Sequence, residues 1–99
     1  MQTETEKHID RIKAKVEEYF DQHAEYHGLG YLSSENRQHV INIGTSILCT
    51  KWNVGYPGGS FVQAVVNNDL MGAFASADRI NQTAIKFYCS LIYNQGYIA

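Results

Sequence analysis

From Leu70 onward, Leu70, Ala73, Phe74, Ala77, Ile80, Ala84, Phe87, Tyr88, Leu91 and Ile92 recur at helical spacing for about six turns, and no other pattern in the chain constrains the fold as tightly. Alanines at 73, 75, 77 and 84 keep much of this segment slim, which suits a helix buried between neighbours. Gly96 marks its end. The expectation is a core helix over 69–94, the longest of the fold.

Two amphipathic segments precede it. Ile9, Ile12, Val16, Tyr19, Phe20 and His23 form a narrow stripe. Thr3 and Glu6 stand in capping-box register before it and Gly28 is a natural stop, so a helix is predicted over 4–27. A stripe this narrow fits a helix that packs one edge on the domain or pairs with a second copy of itself. Ser33 or Ser34 caps a second helix, over 34–52, that buries Val40, Ile41, Gly44, Ile47, Leu48 and Trp52. Gly44 on that face implies close approach by another helix.

Asn53 to Gly59 holds three of the eight glycines and the only proline, so it must turn. Pro57 fixes φ, and Gly58 and Gly59 can take positive φ. Ser60 and Gln63, again in capping-box register, open a short helix over 60–67. Asn67-Asn68-Asp69 either ends that helix and caps the next or is absorbed into one bent helix. With no strand-like alternation, the predicted fold is all-α: one domain over 1–99, a compact bundle of four helices.

Ninety-nine residues leave little room for a second domain, and a chain this short buries a modest share of its surface. Seven tyrosines, four phenylalanines and one tryptophan exceed what a small core hides, so several are expected at a surface or interface. The net charge of −2 and the scattered Lys and Arg residues argue against nucleic acid held by bulk electrostatics. Cys49 and Cys89 lie in apolar helical runs and are expected as reduced core thiols of a cytoplasmic protein. No apolar run has the length of a signal peptide or a membrane span.

Four features invite a chemical reading. The first is Gly55-Tyr56-Pro57-Gly58-Gly59-Ser60, a glycine-rich loop feeding a helix start, where backbone N–H groups can hold a phosphate or carboxylate. Lys51 would add charge, Trp52 and Tyr56 would stack on a base, and Gly58, Gly59 and Ser60 would supply the donors. The segment is no P-loop, however, and the plain alternative is a turn reversing the chain between two helices. Second, His23 and His27 have an i, i+4 spacing that suits a metal, but Ala24 stands where a zinc protease places Glu and no third ligand is evident, so no metal or other cofactor is expected.

Third, Asp78 flanks the apolar face after Phe74, either as a buried acid or as a paired or capping carboxylate. Asp69 is well placed as an N-cap. Fourth, core packing will claim Phe87 or Tyr88, whereas Tyr93 and Tyr97 near the end of the long helix, with Tyr19, are candidates for an oligomer or partner contact. No nucleophile, base and oxyanion donor come together, so no enzyme activity is expected.

The stretch from Trp52 to Asn94, above all GYPGGSFVQAVVNNDLMGAFASAD, resembles the small accessory proteins encoded by tailed bacteriophages. The resemblance covers under half the chain, carries no catalytic motif and transfers no functional residue. It implies an intracellular protein made during infection that binds a host or defence component. The expected function is therefore that of a non-enzymatic interaction protein, homo-oligomeric or bound to a protein partner. The alternative is a small-ligand or nucleotide binder using the 55–60 loop.

Overall fold

Residues 2–98 are described by a computed structural model, and five helices account for most of them: α1 Glu4–His23, α2 Ser34–Lys51, α3 Ser60–Val66, α4 Leu70–Ser76 and α5 Arg79–Asn94. No strand occurs among the described residues, and no helix there is long and apolar enough to cross a membrane. The radius of gyration of 12.8 Å matches a compact domain of this length, about 13 Å.

Local chemistry sets each boundary. Thr3 and Glu6 form the expected capping box on α1. Beyond His23 one further turn carries the backbone to Gly28, whose φ of +74° lets Leu29 N–H reach back to the Ala24 carbonyl at 2.7 Å. Ser33 caps α2 through Asn36 N–H. At the other end of α2, Asn53 takes φ +57°, while Val54 N–H donates to the Cys49 carbonyl and Asn53 N–H to that of Thr50. Asn68, at φ +59°, repeats this closure after α3 with Asp69 N–H on Ala64 and Asn68 N–H on Val65. Each is a Schellman closure, with a residue in the left-handed region satisfying the last carbonyls.

The long C-terminal helix of the sequence reading is two helices. Ala77 is extended (ψ 139°), and Asp78 (ψ 177°) accepts Asn81 N–H at 2.7 Å as the N-cap of α5. A carboxylate that bonds a backbone N–H three residues on favours a helix start over a helix interior, and here that preference outweighs the unbroken apolar spacing. The described residues thus form five helices where four were expected. The longest is α1, with 20 residues against 16 in α5.

The central helix is α2, which packs on α1, α3 and α5, while α3 packs on α4. Its apolar residues are spread around the axis, and Val40, Ile41, Gly44, Thr45, Ile47, Leu48 and Cys49 are all buried. A Cβ on Gly44 would lie 3.1 Å from both Val16 of α1 and Leu91 of α5, so the missing side chain sets the separation of three helices. Phe20, Phe87 and Tyr88 extend the core across α1 and α5 in edge-to-face contacts.

Candidate functional site

The 51–60 segment is tied into the scaffold. Gly58 N–H donates to Thr50 Oγ1 at 2.9 Å, and Gln63 Nε2 donates to the Gly58 carbonyl at 2.7 Å. Gly59, not Ser60, is the N-cap of α3, with no side-chain cap bond, so the expected Ser60–Gln63 capping box is absent. Positive φ occurs at Asn53 and Gly55 and not at Gly58 or Gly59. Gly58 is instead a place of close approach: a Cβ there would meet Ser46 Oγ at 2.6 Å and Val62 at 2.7 Å. Gly55 rests against Ile9 of α1. Of the expected ligand-binding residues, Lys51 and Ser60 are exposed and Tyr56 is 96% exposed. None of the six lines any of the depressions at Tyr19–Gln95, Ala73–Ile85, Phe20–Arg37 or Tyr26–Tyr93.

Trp52 meets a residue of a different expected site. Its ring stands edge-on to Tyr97 at 5.2 Å, and Tyr97 also meets His8 at 5.8 Å. The His8 ring is hydrogen-bonded to the Ile98 carbonyl. Residues 95–98 therefore fold back over the start of α1 and the end of α2. Tyr19, expected at an interface, is only 9% exposed; its hydroxyl bonds Ser90 Oγ at 2.6 Å and its ring packs on His23 and Phe87. That leaves Tyr19 little surface for a partner. Tyr93, in contrast, is 90% exposed.

Around Tyr93 the turn that follows α1 and the outer face of α5 form an open depression of about 440 Å³, lined by Tyr26, His27, Lys86, Cys89, Tyr93 and Asn94 among others. Lys86 Nζ lies 5.2 Å from the centre of the Tyr26 ring, an exposed cation on an aromatic face. His27 stands edge-on to Tyr26 and Phe87 with a buried, unpartnered Nδ1. Burial holds its pKa below the ordinary value, with the charges of Lys86 and His23 acting in the same direction. His23 and His27 thus face different rings, and among the described residues no three His, Cys, Asp or Glu side chains converge as metal ligands. Cys49 is buried, and burial raises its pKa, but Cys89 is exposed, contrary to its expected place in the core: it sits on the outward side of α5.

Asp78 is not a buried acid either, since 54% of its side chain is exposed. One oxygen caps α5 and the other bonds His39 Nε2 at 3.0 Å. Beneath it, the buried Tyr88 hydroxyl donates to Asn81 Oδ1 at 2.7 Å, and burial, with the Asp78 charge second, pushes the Tyr88 pKa far up so that it stays a donor. One carboxylate oxygen thus starts α5 and the other ties that start to α2.

Sequence periodicity missed the outer face of α4. Leu70, Met71 and Phe74 are 64%, 84% and 46% exposed, and only Ala73 of this helix is buried. The charge-free run from Trp52 to Asn68, continued from Leu70 to Ala77, was the available signal. Compared with known protein families, curated proteins and solved structures, the chain matches none.

Proposed function

We propose that the chain is a non-enzymatic binding module that docks on a protein partner through the Tyr26–Tyr93 face, formed by the turn after α1 and by α5. The observation that carries this reading is the depression itself. Two exposed tyrosines flank it, and the only charged side chain lining it is that of Lys86. Tyrosine supplies large, rigid contact area with a polar tip, which is why it is enriched where proteins meet. The neutral ring of His27 and the thiol of Cys89 add surface that is inexpensive to desolvate. The chemistry that fits is an apolar ridge carrying a carboxylate for Lys86. On the resemblance to phage accessory proteins, the partner is a host or defence component in the cytoplasm.

The test is quantitative capture from host lysate with wild type, Tyr93→Ala and Lys86→Glu, followed by titration of any purified partner. Exposed residues such as these can be replaced with the helical circular dichroism unchanged. A partner that binds wild type and loses about tenfold or more in affinity with either variant supports the reading. Equal capture by all three proteins overturns it.

A further inference from the structure

Seven residues are too few for α4 to stay helical in water unaided, since an isolated helix needs roughly 12–15, so packing must hold it. That packing is thin. α4 buries Ala73 alone, where the equally short α3 buries Phe61, Val62 and Ala64 and sets the Phe61 ring against Tyr88. In the middle of α4 stands Gly72, where a Cβ would strike the Asp69 carboxylate and where helix preference is poor. Among the described residues, no hydrogen bond from Leu70–Ser76 reaches another helix. The chain on either side is fixed. Before α4, the closure at Asn68 ends α3; after it, Asp78 caps α5 and bonds His39 of α2. Between the inner side of α4, α3 and α5 lies a crevice of about 50 Å³, lined by Ala64, Ala73, Ile85 and Cys89 among others.

We propose that α4 is a hinged lid on this crevice, opening at Asn68 and Ala77 while the other four helices stay folded. Both joints already lie outside helical geometry, with Asn68 at φ +59° and Ala77 extended at ψ 139°. Opening gives up the burial of Ala73 and the bonds within α4. It leaves the Tyr88–Asn81 and Asp78–His39 bonds and the core around α2 in place. Segments with few buried apolar contacts are the ones that open in this way, at a cost far below that of global unfolding. The motion uncovers Ala64 and Ile85, both buried while the lid is shut. Because Cys89 also lines the Tyr26–Tyr93 depression, the uncovered wall runs on into that face, but the motion does not rest on the function proposed there.

Hydrogen exchange followed by NMR tests the motion in the wild-type protein. The amides of Ala73 to Ser76 are expected to be at least about a hundredfold less protected than those of Val40 to Leu48, and indifferent to urea below the unfolding midpoint. Tyr88→Phe weakens the fold outside the lid, so it should speed exchange in α2 about fivefold or more and leave α4 unchanged. Equal acceleration in the two helices overturns the proposal. Ala64→Cys in a Cys89→Ser background then places a thiol on the covered wall, with the buried Cys49 as an internal reference. N-Ethylmaleimide is expected to label the introduced thiol far faster than Cys49. Asp69→Ala, which removes the α4 cap, should speed that labelling about fivefold, whereas Asp69→Asn, which keeps a cap, should leave it near its starting rate. Labelling that ignores the loss of the cap, or that is as slow as that of Cys49, overturns the lid.

Discussion

Two side chains show how single residues fix local order. Tyr88 is fully buried and Asn81 nearly so, and the 2.7 Å bond between them satisfies a polar atom that water does not reach. Tyr88→Phe leaves Asn81 Oδ1 without that donor and should cost about 1–3 kcal/mol, which denaturant unfolding will read directly. His27 supplies the pH dependence. Its folded pKa lies below 6.5, so the unfolded chain takes the proton more readily. Its contribution to stability is therefore complete above pH about 6.5 and is lost as pH falls from there toward the folded value. Urea midpoints measured from neutral to mildly acidic pH should fall more steeply for wild type than for His27→Gln; parallel profiles would assign the slope to other groups.

At the scale of elements, helix starts were legible at three of the four places where a side chain makes the cap. Thr3, Ser33 and Asp69 all act as their types and spacings imply. Asp78 was legible as a capping type, but the apolar spacing running through it concealed a helix boundary. Periodicity reports which residues share a face and says nothing of whether the backbone between them is continuous. It also leaves open which side of a short apolar helix is covered, so Leu70 and Phe74 read as core. The glycines divide in the same way. Gly44 was legible as a contact, but Gly58 and Gly59 are alike in sequence and differ wholly in surroundings. A Cβ at Gly58 meets Ser46 and the β-branched Val62 at under 3 Å, whereas one at Gly59, where φ is −76°, meets nothing within 4 Å. Gly58→Ala is expected to destabilise by about 1–3 kcal/mol through overpacking. Gly59→Ala should stay within about 1 kcal/mol of wild type, because the gain from restricting the unfolded chain is set against the loss of a glycine at the N-cap of α3. Thermal unfolding of the two variants side by side decides this.

Across the whole molecule, segments far apart in sequence close one corner of the fold. His8 from the first turns of α1, Trp52 at the end of α2, and Tyr97 and Ile98 after α5 lie together, joined by two edge-to-face ring contacts and the His8–Ile98 hydrogen bond. No spacing rule links residues 8, 52 and 97, which is why Trp52 and Tyr97 read as members of different sites. Tyr97 thereby has a structural partner while remaining largely exposed, and Tyr93, one turn earlier, has none of this corner's contacts. Because Trp52 is the only tryptophan, its fluorescence reports on this corner alone. Ending the chain after Asn94 removes Tyr97 and Ile98 but leaves all five helices. The emission should shift to the red as water reaches the indole, with helical circular dichroism essentially unchanged and a lower midpoint of thermal unfolding. Tyr97→Ala should reproduce the spectral shift with a smaller loss of stability, since the His8–Ile98 bond survives. An unshifted spectrum in both proteins would mean that residues 95–98 do not cover Trp52 in solution.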